Sequence, residues 1–168
     1  MNAPETPSQT IGPFFHDGLE WALTRRDRDL QDGEWLVGGA VLDANGAGVP
    51  DAMLEVWQTL GFQRLFTNAA GRFEFVVRRD ADDGIAQVTV FARGLNGALR
   101  TRLYAAATAD ALRARPELAQ VPPERLSTLA ASAADAARRT LEWSIRLQGD
   151  RETVFFVWHE ASASSGRP

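Results

Sequence analysis

Apolar residues recur at every second position in several short runs, each bounded by turn-forming residues, and this period belongs to half-buried β-strands rather than helices. Leu141, Trp143, Ile145 and Leu147 alternate strictly with Glu142, Ser144 and Arg146. Ala52, Leu54 and Val56 fall on one face of a strand over 52–58, with Met53, Glu55 and Trp57 on the other. Phe73, Phe75 and Val77 alternate with Arg72, Glu74 and Val76 after Gly71. Further strands are predicted over Glu34–Leu42, stopped by Asp43-Ala44-Asn45-Gly46, over Gln87–Ala92, and over the apolar run Thr153–Trp158. One stretch breaks the pattern. Thr108–Ala137 is rich in Ala, Leu, Arg and Glu and predicts two short helices, broken at Pro116 and restarted by Pro122-Pro123.

Many short strands, glycine turns and one helical insertion predict a mainly β protein, a β-sandwich. The organisation expected is an N-terminal arm over 1–13, where Pro4, Pro7 and Pro13 forbid helix, a sandwich domain over 14–160 with its helical insertion at about 108–137, and a disordered tail over 161–168. A chain of 168 residues can bury one substantial core.

Charge and residue usage then remove whole classes of function. The net charge is −4, and all eighteen basic residues are Arg, scattered rather than gathered into the basic stripe of a nucleic-acid binder. There is no Cys, which excludes disulfides, thiolate-ligated metals and thiol nucleophiles. No apolar run reaches membrane-spanning length and Met1–Gln9 lacks the pattern of a secretory signal, so a cytoplasmic protein is expected. His16 and His159 are the only imidazoles and Tyr104 the only phenol, too few to build a transition-metal site within this chain. Asp80, Asp82 and Asp83 come closest to an oxygen-ligand cluster and read as a solvated turn. His16 reads as packing the arm, His159 as a surface residue, and Tyr104 as a structural phenol.

Four stretches carry a resemblance to a known family: Thr6-Pro7-Ser8-Gln9-Thr10-Ile11-Gly12-Pro13-Phe14-Phe15; the Gly-x-Val-x-Asp-x-x-Gly pattern within Gly38–Gln58 that ends in Leu54-Glu55-Val56-Trp57-Gln58; Phe91-Ala92-Arg93-Gly94 followed by Arg100-Thr101-Arg102-Leu103-Tyr104; and Arg146-Leu147-Gln148-Gly149 followed by Glu152-Thr153-Val154-Phe155-Phe156. In this order they resemble the intradiol ring-cleavage dioxygenases, and among them the α subunits of the protocatechuate-cleaving enzymes. The resemblance implies a heteromer in which a partner β subunit holds Fe(III) through two Tyr and two His. With that partner, the chain would take part in intradiol cleavage of protocatechuate with O₂ to 3-carboxy-cis,cis-muconate, in aromatic catabolism through the β-ketoadipate pathway.

Carried over position by position, the iron ligands of the family are missing. The His-x-His positions are Ile85 and Gln87, the first tyrosine position offers Phe62 and Gln63, and the loop Arg78–Gly84 has no Tyr. No catalytic residue is therefore expected in this chain alone. Fe(III) needs hard anionic ligands, which these side chains do not supply. The loops that would carry the ligands also look shortened.

The resemblance further implies that Thr10, Gly12, Pro13 and Arg93 wall a substrate pocket at the interface with the β subunit. Gly12 would let backbone approach a flat substrate, Pro13 would stiffen the arm, and Thr10 would offer a hydroxyl. Arg93 would present a donor fork to a carboxylate. Taken without the family, Arg93 is a solvated charge at a strand end and Gly12-Pro13 a turn. Glu55 and Trp57 would serve the sandwich or the subunit interface. The alternative reading is a stand-alone β-sandwich binding module that keeps the dioxygenase fold without its chemistry.

Overall fold

The computed structural model describes residues 18–24, 29–58, 61–80 and 84–157. Nine strands occur among these residues, in two sheets. The strands are β1 (Glu34–Leu42), β2 (Met53–Gln58), β3 (Gly61–Phe66), β4 (Arg72–Arg78), β5 (Ile85–Phe91), β6 (Leu99–Tyr104), β7 (Ser132–Asp135), β8 (Thr140–Glu142) and β9 (Ile145–Arg146). One sheet has the order β4-β1-β8-β7, with β9 also paired to β1, and the other has the order β3-β2-β5-β6. The architecture is the two-sheet sandwich that the alternating pattern predicts.

The core lies between the sheets, and the period-two residues fill it. Val37, Val41, Leu54, Val56, Phe73, Phe75, Val77, Val88, Val90, Leu103, Leu141, Trp143 and Ile145 are all buried there. Phe73 and Phe75 meet the Trp143 ring edge-on, at centroid separations of 6.4 and 6.5 Å. Such contacts add to simple area burial.

The run 141–147 keeps its alternation but forms two short strands rather than one. β8 pairs with β1 in parallel at Val37↔Leu141, and β9 does so at Val41↔Ile145. Between them the Trp143 carbonyl presses against Gly39, where any Cβ would collide with it. Gly39 is therefore the residue that lets β1 accept both strands.

Two glutamines join the sheets along one side. Gln58 donates to the Arg78 and Ile85 carbonyls at 3.1 and 3.3 Å and accepts from the Arg78 N–H at 2.9 Å. Gln63 donates to the Val76 carbonyl at 2.6 Å and accepts from the Val76 N–H at 2.9 Å. Each side-chain amide takes the place of a backbone peptide and satisfies the edge of β4.

On the other side, the segment after β6 folds over the outer face of the second sheet. A short helix, α1 (Ala109–Leu112), is capped by Thr108, whose hydroxyl accepts from the Ala111 N–H at 3.3 Å. Two 3₁₀ turns follow, Pro116–Leu118 and Pro123–Leu129. Pro123 stands at the start of the second, as expected, whereas Pro116, expected only to break the helix, starts the first. Leu112, Leu118, Leu126 and Leu129 close over Tyr104 as a second, smaller core. Helical structure ends at Leu129. Ser132–Asp135, within the stretch expected to be helical, pairs instead with β8 as β7.

The segment expected to be a strand over Thr153–Trp158 forms no ladder over 153–157. It lies against β6 through single bonds, the Phe156 N–H to the Arg100 carbonyl at 2.7 Å and the Thr101 hydroxyl to the Val154 carbonyl at 2.8 Å. The Arg125 guanidinium fastens it by donating to the Glu152 carbonyl at 2.6 and 3.0 Å. β3 and β6 are strands that the alternation had not marked. No helix among the described residues is long and apolar enough to cross a membrane.

Candidate functional site on the outer face of the second sheet

Register decides which side chains meet on the outer face of β3-β2-β5-β6. In an antiparallel sheet, directly opposed residues point to the same side. One row runs Phe62–Trp57–Gln87–Arg102, the next Arg64–Glu55–Thr89–Arg100. Ile85 and Tyr104 oppose each other one step further along.

The β3 end of this face is internally satisfied. Trp57 and Phe62 pack at a centroid distance of 4.3 Å, and the Arg64 guanidinium lies 5.2 Å from the Phe62 centroid. Arg64 Nε donates to Glu55 Oε1 at 3.0 Å, so the one acid in these rows is already paired. The β6 end differs. Trp57, Gln87, Thr89, Arg100 and Arg102 line an open cavity of about 610 Å³. Trp57 stays half exposed at 51%. The Arg102 guanidinium lies 5.4 Å from the Phe156 ring centroid.

Tyr104 sits at the covered end of the face. It is fully buried, and the Arg115 guanidinium lies 5.1 Å from its ring centroid. Burial pushes the phenol above its ordinary value, against the pull of the neighbouring Arg102 and Arg115 charges.

The positions that the resemblance matches to iron ligands can now be placed. Phe62 and Gln87 face outward in one row, Ile85 lies at the edge of the smaller core, and Gln63 points inward to the β4 edge. None offers a phenolate, imidazole or carboxylate. Two guanidinium groups beside Gln87 also oppose a bound cation. These residues do not fit Fe(III). Among the described residues no three His, Asp or Glu gather as a metal-binding group. Asp80 is ion-paired with Arg78 at 2.8 Å, whose neighbouring guanidinium holds its carboxyl below the usual range, while Asp82 and Asp83 lie outside the described residues.

Of the residues expected at a substrate pocket, Thr10, Gly12 and Pro13 lie outside the described residues, as do His16 and His159. Arg93 is in the turn after β5, next to Gly94, whose φ of 83° is the left-handed geometry that glycine adopts freely. Its side chain is 67% exposed and 4.0 Å from Asp51. An exposed pair of this length holds a guanidinium only loosely. The structure does not bring Arg93 to the cavity. Gln87 and Phe91 alone span about 13 Å of strand, and Arg93 lies beyond Phe91. The cavity residues Thr89, Arg100 and Arg102 were not singled out as a site from sequence. The signal was present in Leu99-Arg100-Thr101-Arg102-Leu103, where two cations share one face of a strand.

No family model matches the chain. Curated relatives do. The chain is 35% identical over 195 aligned positions to the protocatechuate 3,4-dioxygenase alpha chain of Pseudomonas putida, covering 91% of this chain and 96% of that one. It is 34% identical to the protocatechuate 3,4-dioxygenase alpha chain of Burkholderia cepacia, covering 90% and 96%. An alignment longer than the chain itself means that the relative carries insertions absent here. Among solved structures, the dioxygenase domain of a dioxygenase carbohydrate-binding protein fusion from Streptomyces sp. SirexAA-E superposes with a TM-score of 0.51 at 18% identity, over 87% of this chain and 99% of that one. That likeness bears on the fold. At about 35% identity over nine-tenths of both sequences, the chain belongs to the family of protocatechuate 3,4-dioxygenase alpha chains, within the intradiol dioxygenases.

Proposed function

We propose that this chain is the non-iron-binding α subunit of a heteromeric protocatechuate 3,4-dioxygenase. Its β partner would hold Fe(III) through two Tyr and two His, and the assembled enzyme would open protocatechuate with O₂ to 3-carboxy-cis,cis-muconate in cytoplasmic aromatic catabolism. The observation that carries this reading is the match to alpha chains along nearly the whole length, and it is supported by Phe62, Ile85 and Gln87 at the positions that the resemblance matches to iron ligands. The arm, through Thr10, Gly12 and Pro13, and the exposed Arg93 are the parts of the chain assigned to the partner's substrate pocket.

Co-expression with a β chain bearing two Tyr and a His-x-His tests it. The heteromer should carry iron and cleave protocatechuate, while this chain purified alone should carry no stoichiometric iron. In the heteromer, Arg93→Ala should lower kcat/KM for protocatechuate by about ten- to 150-fold, the equivalent of one charge-assisted hydrogen bond at about 1.5–3 kcal/mol. The iron content and resting spectrum should stay unchanged. A kcat/KM within about twofold of wild type would remove Arg93 from the pocket. One iron per chain in the isolated protein would overturn the reading.

A further inference from the structure

We propose that Asn96, in the turn between β5 and β6, is a site of spontaneous deamidation, and that the fold protects the other Asn-Gly pair of the chain, Asn45-Gly46. The proposal does not rest on the heteromer reading, because every group it uses belongs to this chain.

The reaction needs a side-chain amide, an unhindered residue after it, and freedom of the backbone between them. The Gly97 backbone nitrogen, once deprotonated, attacks Cγ of Asn96. The new N–Cγ bond closes a succinimide ring, and the bond from Cγ to the side-chain nitrogen breaks to release ammonia. Water then opens the ring at either carbonyl, giving aspartate or isoaspartate, and nothing is oxidised or reduced. Asparagine is thermolabile by such routes, and a following glycine places no Cβ in the path of the attack. Asn2 and Asn68 precede Ala, whereas Asn45 and Asn96 precede Gly.

Exposure does not separate the two Asn-Gly pairs, since all four residues face solvent. Hydrogen bonding does. In the turn after β1, the Gly46 N–H that would have to attack donates to the Asp43 carbonyl at 3.1 Å. The Asn45 and Ala47 N–H groups donate to Asp43 Oδ1 at 2.9 and 2.8 Å, and the Asp43 N–H donates to the Ala47 carbonyl at 2.9 Å. Asn45 is thus held on both sides, with its nucleophile engaged.

The turn after β5 is looser. The Leu95 N–H donates to the Ala92 carbonyl at 3.3 Å, but no hydrogen bond joins Asn96 or Gly97 to another described residue. Nothing lies within 4 Å of the place a Gly97 Cβ would occupy. A segment with solvated backbone and no packing opens at little cost, so the Gly97 nitrogen can reach Cγ. Deamidation there adds one negative charge three residues from Arg93. Isoaspartate also lengthens the backbone between Leu95, which packs against the main core, and β6.

Peptide mapping by mass spectrometry tests the assignment, on the full-length chain warmed at mildly alkaline pH with circular dichroism confirming that it stays folded. Acid and isoacid forms should accumulate in the tryptic peptide 94–100, and Asn45 should convert about tenfold more slowly or less. In urea the two sites should convert at similar rates. Asp43→Ala should raise the rate at Asn45 and leave Asn96 unchanged. Gly97→Ala, which meets no neighbour, should slow Asn96 severalfold without touching the fold. Equal rates at both sites in the folded chain, or an intact Asn96 amide there while the chain in urea converts, overturns the proposal. An unchanged rate in G97A overturns ring closure through the Gly97 nitrogen.

Discussion

The two faces of the β3-β2-β5-β6 sheet are built from the same strands, and neighbouring residues in each strand have opposite duties. Leu54, Val56, Val88, Val90 and Leu103 point inward and are excluded from water. Glu55, Trp57, Gln87, Thr89, Arg100 and Arg102 point outward. The inner face holds the fold and tolerates little change in volume. The outer face can exchange one side chain for another without disturbing the sandwich. Phe62, Ile85 and Gln87 can therefore differ widely in chemistry while the sheet beneath them stays intact.

The comparison breaks most readily at Leu54. Leu54→Ala should cost about 2–5 kcal/mol of stability by chemical denaturation, whereas Gln87→Ala, on the opposite face, should stay within about 0.5 kcal/mol. Comparable losses from both would mean that the outer face also carries the fold.

Gln63 sharpens the contrast, since it is a polar residue turned inward. Gln63→Leu removes both partners of the Val76 peptide and should cost about 1–3 kcal/mol. Gln63→Glu can still accept from the Val76 N–H but cannot donate to the carbonyl when ionised, so it should fall between Leu and wild type. Equal stability of all three in denaturation would show that water replaces the bridge.

The smallest effect is expected at Tyr104, the outward residue that the helical insertion has buried. As the only tyrosine, its tyrosinate absorbance can be followed alone. The folded phenol should titrate above the value of the denatured chain, which lies at about 10. The folded state thus holds the proton more tightly. Its contribution is complete below the unfolded value and is lost as pH rises through the folded one. Tyr104→Phe should flatten that alkaline decline. Titration at the ordinary value in the native protein would mean that the insertion leaves the ring open to solvent.

Much of the sandwich was legible because burial and period coincide in β1, β2, β4, β5 and the 141–147 run. β3 escaped notice because Phe62 turns outward and Gln63 inward, inverting the usual polarity. β7 escaped because Ser132-Ala133-Ala134-Asp135 favours helix locally, and pairing with β8 overrides that preference. Thr153–Phe156 has strand-like residues, but its bonds go to single side chains and carbonyls rather than a ladder. The residues Phe62, Ile85 and Gln87 could be compared with the resemblance position by position. The Arg100–Arg102 cavity could not, since it depends on which strands become neighbours.

The parallel pairing of β1 with β8 and β9 bears on how the protein is made. Val37 meets Leu141 about a hundred residues later in the chain, a long-range contact of the kind that slows folding. While the chain is synthesised, β1 can pair with β4 early, but its other edge stays open until nearly the last strand emerges. During that interval a nine-residue strand presents unpaired backbone groups to any neighbouring chain. Slow translation or truncation before Leu141 should therefore favour aggregation over a partly folded monomer, and yield in the cell should depend on how quickly the last sixth of the sequence arrives.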